Sequence, residues 1–224
     1  MQSKRKAGSS GLFCLPVIDR QNTQTHMKRI LLLCLLLPSI LFSQRADVLI
    51  KTDIFTVNYS EIYQQPLRIE YLVQCPNGGA SRKGMDFYTN DSIITSDNAD
   101  YENNIYDKGH LAPAADFTCS REMLYKTFSY LNCALQDQYL NRGTWRLLES
   151  FERELAAASP GTKVEIVLEF NSKTKLPTGA TVPSGFYKRI TSGGKVYMYY
   201  FPNSKPTTSD YTKYRITTWP KKVN

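Results

Sequence analysis

Apolar and polar positions divide the 224-residue chain into strand-like, helical and again strand-like blocks. Residues 46–57, "ADVLIKTDIFTV", alternate loosely and predict an early strand. In "PLRIEYLVQC", Pro66 to Cys75, the side chains of Leu67, Ile69, Tyr71 and Val73 share one face at period two, the mark of a half-buried strand. "PNGG" at 76–79 is turn chemistry, and the polar stretch 80–105 predicts a loop. From Ser120 to Leu135 the spacing of Met123, Leu124, Phe128 and Leu131 predicts a helix with Ser120 as its N-cap. Asp137 to Ala158 has the clearest helical pattern, with Leu140, Thr144, Leu147, Leu148, Phe151 and Leu155 on one side and Ser159-Pro160-Gly161 as its end. Three β-rich runs follow, "KVEIVLEF" (163–170), "GFYKRI" (185–190) and "KVYMYYFPN" (195–203), with Gly193-Gly194 as a hairpin turn. This order predicts an α+β fold: a mainly antiparallel central sheet with its helices inserted as a block. The length suits one domain, and neither repeats nor heptads are visible.

The N-terminus adds an expectation about destination. Met27-Lys28-Arg29 precedes a short apolar run, Ile30 to Phe42, and then Ser43-Gln44, the layout of a secretory signal peptide over 27–44. The run is shorter than the about 20 residues that a membrane span needs, so no stable membrane association is expected. Cys34 lacks small residues before it, which argues against a lipid-modified cysteine. Residues 1–26 are polar and unpatterned, and read as a non-native extension upstream of a start at Met27. That leaves 45–224 as a single domain, secreted or periplasmic. Without residues 1–44 the formal charge drops from +8 to +3, because six Lys/Arg and Asp19 go with them. Mild basicity permits an anionic partner without demanding one. Cys75, Cys119 and Cys133 remain, enough for one disulfide and one leftover thiol, with the pairing open. A structural zinc site is not expected, since no C-x-x-C pair exists and one histidine remains.

That histidine is His110, in "YDKGHLAPAADF" (106–117); His26 lies ahead of the signal. Asp107-Lys108-Gly109 reads as a turn, so His110 is expected to enter from a loop. The positive field of Lys108 should favour the neutral imidazole that a general base needs. A second polar cluster, "LNCALQDQYLNRGTWRLLE" (131–149), contains Asn132, Gln136, Asn141 and Glu149. On a regular helix Asn141 and Glu149 lie roughly 80° apart around the axis and about 12 Å apart along it. One direct amide oxygen plus a carboxylate acting through bound water suits Mg²⁺, which takes few protein ligands. The plainer reading of Glu149 is a solvated helix residue paired with Arg146 or Arg153.

Together these segments resemble the DNA/RNA non-specific endonucleases, of the ββα-metal (His-Me finger) class. Asp107, Gly109 and His110 match an Asp-Arg-Gly-His motif. Asn132 and Gln136 match an Asn-x-x-x-Gln segment, and Leu140, Asn141, Trp145, Leu148 and Glu149 match Leu-Asn-x-x-x-Trp-x-x-Leu-Glu. "DFYTNDSI", "ADY" and "VPSGFYKRI" are also similar to family segments, so the resemblance spans roughly 60–200. It implies a ββα-metal finger in which His110 activates water, Asn141 ligates Mg²⁺ (or Mn²⁺) and Glu149 holds a metal-bound water. Asn132 would orient the site, and Lys108 and Arg82 would stabilise charge on the phosphate. Two departures stand out: Lys108 occupies the usual arginine position and loses its two-pronged fork, and Cys133-Ala134-Leu135 replaces a proline-containing stretch. The implied activity is hydrolysis of DNA and RNA to 5′-phosphate ends. The alternative is a catalytically weak or inactive nucleic-acid-binding domain on the same fold. DNA and RNA are the implied partners; a protein inhibitor and a homodimer are left open.

Overall fold

The structure, a computed structural model, describes residues 45–220 apart from Asp91 and Lys173. The signal peptide and the upstream extension expected over 1–44 lie outside the described residues.

Period-two alternation builds the central sheet. Its six strands are β1 (Val48–Lys51), β2 (Phe55–Ser60), β3 (Gln65–Leu72), β6 (Lys163–Glu169), β7 (Gly185–Ser192) and β8 (Lys195–Pro202), in the order β1-β2-β3-β6-β7-β8. Every neighbouring pair is antiparallel. The early strand expected over 46–57 is in fact a hairpin. Thr52 Oγ1 accepts from the Ile54 and Phe55 amides (3.3 and 3.0 Å) and turns the chain between β1 and β2. At the other end Gly193 and Gly194 take φ of +54° and +73°, the left-handed pair that a two-residue hairpin needs.

Between β3 and β6 the chain makes the helical block and a second, two-stranded antiparallel sheet: β4 (Tyr106–His110) against β5 (Cys133–Asp137). Two expectations fail here. His110 does not enter from a loop, because Asp107-Lys108-Gly109 are strand residues paired with Gln136, Leu135 and Ala134. The helix expected from Ser120 to Leu135 stops early. Ser120 does cap α1 (Arg121–Lys126), its Oγ accepting from Met123 N at 3.1 Å. Beyond a 3₁₀ turn at Tyr130–Asn132, however, the chain extends as β5. All five residues of β5 are buried, and such a continuous run carries no periodicity to tell strand from helix.

Asp137 caps the next helix, its Oδ1 accepting from Tyr139 N and Leu140 N at 2.9 and 3.1 Å. The segment has three parts: α2 (Gln138–Leu140), a π turn (Asn141–Trp145) broken by non-helical backbone at Gly143, and α3 (Arg146–Ala158). Fully buried Trp145 packs on Phe186 and Phe201 at 5.6 and 5.7 Å and, with Leu148, joins this helix to the sheet core around Val57, Ile69, Val164, Ile166 and Ile190. A residue of that size in a close-packed interior is worth about 3–5 kcal/mol against alanine. Cys75 and Cys119 form a disulfide and Cys133 is a buried free thiol. Among the described residues no helix is long and apolar enough to cross a membrane.

Candidate active site

The ends of β4 and of the α2–α3 segment meet at a cleft of about 690 Å³. His110, Lys108, Arg82, Asn141 and Glu149 all line it. Asn132 does not. It is fully buried behind the wall, where its Oδ1 accepts from Ala112 N (2.7 Å) and its Nδ2 donates to Ala112 O and Thr127 O (2.9 and 2.8 Å). It therefore fixes the main chain just beyond His110.

Strand alternation places Lys108 and His110 on one face of β4 and Gly109 on the other. The missing side chain at Gly109 is required, since a Cβ there would sit 2.5 Å from Gln136 Oε1 and 2.7 Å from Gln136 Cβ. The imidazole lies between Phe87 (4.7 Å) and the edge of Phe128 (4.8 Å). Its Nε2 is buried with no partner among the described residues. Burial in this apolar slot, and after it the nearby Arg82, push the His110 pKa down to about 3. The ring is thus neutral at pH 7. The cation that helps is Arg82, rather than Lys108 as the sequence suggested. Lys108 is tethered by Asn98 Oδ1, with Asp86 at 3.4 Å, and lies over the Phe87 and Tyr130 rings at 5.4 and 5.7 Å.

Asn141 and Glu149 are not staggered as on a regular helix. The π turn between them, with non-helical backbone at Gly143, breaks the regular helical step from Asn141 to Glu149. Asn141 Nδ2 donates to Asp107 Oδ2 at 2.9 Å, leaving Oδ1 without a partner among the described residues. Asp107 is in turn held by the guanidinium of Arg142 (2.8 and 2.5 Å).

Glu149 is not the solvated residue of the plainer reading. Burial raises its carboxyl to about 7, against the pull of Lys188 and with Glu152 adding to the rise. Arg153, one partner considered for it, instead reaches fully buried Asp116 at 3.2 Å. Beneath Glu149 lies a closed charge network. Lys188 Nζ meets Glu152 Oε2 at 2.5 Å with both side chains fully buried, Tyr71 OH donates to Glu152 Oε1 at 2.6 Å, and Lys188 sits over Trp145 at 4.8 Å. Burial and neighbouring Glu152 raise Asp116 well above the carboxylate range.

The donor set fits a hydrated divalent ion: one neutral amide oxygen free to coordinate, and one desolvated carboxylate that a cation would ionise. Among the described residues no cluster of three or more His, Cys, Asp or Glu forms a metal cage. Arg82, Lys108, Arg142, Arg146 and Arg153 make the remaining wall strongly cationic, a surface suited to phosphate. The roles of Phe87, Phe128, Asp107, Asp116 and Lys188 were missed from sequence. Only Asp107 carried a signal, its place in the Asp-x-Gly-His motif.

Comparison with known proteins agrees with this geometry. The family model described as DNA/RNA non-specific endonuclease matches residues 40–222. Mitochondrial endonuclease G of Bos taurus is 37% identical over 81 residues, 35% of this chain and 27% of its own. The Homo sapiens protein gives the same figures. A nuclease of Nostoc sp. is 31% identical over 132 residues, 52% of this chain and 47% of its own. The chain therefore spans about a quarter to a half of the length of these relatives. A chain of the solved EndoG/EndoGI complex superposes with a TM-score of 0.64 at 23% identity, over 75% of this chain and 80% of that one, and shares the fold. With its ββα finger in place and the family model running through all of the described residues, this chain belongs to the DNA/RNA non-specific endonuclease family.

Proposed function

We propose that this protein is an exported, metal-dependent endonuclease that hydrolyses DNA and RNA phosphodiesters with little sequence preference and leaves 5′-phosphate ends. The observation that carries the reading is a neutral His110 whose Nε2 has no hydrogen-bond partner among the described residues, sharing one cationic cleft with the amide oxygen of Asn141, likewise uncommitted among them.

In this reading His110 takes a proton from the attacking water as general base, which is worth about 10²–10⁴-fold in rate. Phe87 and Phe128 keep the ring dry and unprotonated. Asn141, oriented by Asp107, would hold the ion directly, and Glu149 would hold one of its waters. When bound, Mg²⁺ or Mn²⁺ supplies charge neutralisation at the phosphate and at the departing 3′-oxygen. Lys108 and Arg82 would stabilise the extra negative charge of the transition state. Contacts to phosphate carry no sequence information, which supports broad use of DNA and RNA. The EndoG/EndoGI complex supports a protein inhibitor as a second class of partner for this chain.

The test is incubation of purified protein with plasmid DNA and with RNA, in Mg²⁺ or Mn²⁺, in EDTA, and as His110→Ala. Metal-dependent nicking that EDTA and His110→Ala both abolish is expected. Salt-sensitive binding without turnover in any divalent metal would establish the binding-domain alternative instead.

A further inference from the structure

Arg82 occupies an exposed loop, yet it must meet His110 in the cleft. Its guanidinium has no hydrogen-bond or ion-pair partner among the described residues. An unanchored loop would spread such a side chain over many positions, because each free backbone residue carries about 1–2 kcal/mol of conformational entropy. This loop is anchored at both ends. On one side the Cys75–Cys119 disulfide, with Cα atoms 5.3 Å apart, joins the end of the β3 segment to the residue before the α1 cap. Thr118 Oγ1 donates to Cys75 O at 2.9 Å, Ala80 N donates to Thr118 O at 3.2 Å, and Gly78 lies so close that a Cβ would fall 2.1 Å from Thr118 O. On the other side Tyr88 N donates to Phe128 O and Tyr130 N donates to Tyr88 O, each at 3.0 Å.

Between these anchors a second arginine grips the loop. Arg121, the first residue of α1, donates from Nη1 to Ser81 O (2.9 Å) and from Nη2 to Lys83 O (3.0 Å). Its two prongs hold the carbonyls on either side of Arg82, and Arg82 O accepts from Met85 N at 3.1 Å. The planar fork of arginine suits two acceptors at a fixed spacing.

We propose that Arg121 and the Cys75–Cys119 disulfide are positioning residues that hold Arg82 in the cleft, so that the phosphate contact depends on an intact bridge outside the site. The inference rests on the nuclease reading for the role of Arg82. Neither Arg121 nor the cysteines line the cleft; each acts only through the main chain that carries Arg82.

The test compares Arg121→Gln, Cys75→Ser/Cys119→Ser and Arg82→Ala, alone and combined, by steady-state cleavage of a fluorescent duplex. In parallel, equilibrium binding of the same duplex is followed by anisotropy in EDTA. Loss of one phosphate contact should reduce the salt slope by about one. Arg121→Gln is expected to lower kcat/KM about tenfold, to weaken binding with that reduced slope, and to leave the melting temperature near wild type. In the Arg82→Ala background neither Arg121→Gln nor the cysteine pair should cause further loss. The same fold-loss with and without Arg82 would overturn the proposal, and so would unchanged binding by Arg121→Gln in otherwise wild-type protein. Should the cysteine variant fail to fold, the Arg121→Gln cycle decides alone. Absence of cleavage by wild type would defeat the nuclease reading, while the binding cycle would still decide whether Arg121 acts through Arg82.

Discussion

Gly109→Ala puts a single methyl group between β4, which carries His110, and its partner strand β5. The added Cβ would meet Gln136 Oε1 at 2.5 Å, Gln136 Cβ at 2.7 Å and Ala134 O at 3.2 Å, where ordinary contact begins near 3.4 Å. Rotation of the glutamine can relieve only the first contact, since its Cβ is fixed to β5. About 0.7 Å must therefore come from separating or twisting β4 against β5, taking the 3.4 Å limit against the 2.7 Å contact. Overpacking of this kind costs about 1–3 kcal/mol, a fall in melting temperature of several degrees for a domain this size. The adjacent His110 moves with the strand. A displacement approaching 1 Å costs about 100-fold in rate, or about 2.7 kcal/mol in activation free energy. Plasmid cleavage under saturating Mg²⁺, alongside thermal unfolding, reads both effects. Gln136→Gly in the same chain removes both glutamine contacts and should recover part of the loss. Cleavage within threefold of wild type at an unchanged melting temperature would refute the steric account.

His110→Ala should lose at least 100-fold in cleavage while keeping duplex affinity in EDTA, because phosphate binding falls to the arginines; a parallel loss of binding would show that the ring contacts substrate. Lys188→Met strands fully buried Glu152 without its cation and should destabilise the fold by about 3–5 kcal/mol in urea unfolding, most of it recovered by adding Glu152→Met. The Glu149 carboxyl sits near 7 in the fold against an ordinary 4.5, so the folded chain binds that proton more tightly than the unfolded one. Metal-free wild type should therefore lose stability relative to Glu149→Gln as pH rises from about 4.5 through 7, and chemical denaturation across that range would show no difference between the two if the carboxyl were solvated. Mg²⁺ binding, followed by calorimetry, should strengthen as pH rises through about 7, with proton release.

What was legible in the sequence was what local chemistry dictates. Alternation in 66–73 and the β-rich run 163–170 marked central strands, Ser120 and Asp137 announced helix starts, and Gly193-Gly194 announced a hairpin. The ordered spacing of His110, Asn141 and Glu149 pointed to one site. Asp107-Lys108-Gly109 misled because turn propensity is weak beside the pairing that β5 provides. Residues 133–137 misled because total burial erases periodicity. The relation of Asn141 to Glu149 was misjudged because regular helix geometry was assumed where a π turn intervenes. The placement of Asn132 behind the wall, of Arg82 beside His110, and of Lys188 and Asp116 beneath Glu149 came only from the tertiary structure. Polar and titratable side chains of that kind read as surface residues until a neighbouring element supplies the partner that lets them be buried. Residue type and spacing, which are local properties of the chain, pointed to the family and to the candidate site residues. Their protonation states and orientations arise from desolvation and from partners remote in sequence, like Tyr71 and Glu152 beneath them, 81 positions apart, and only folding decides those.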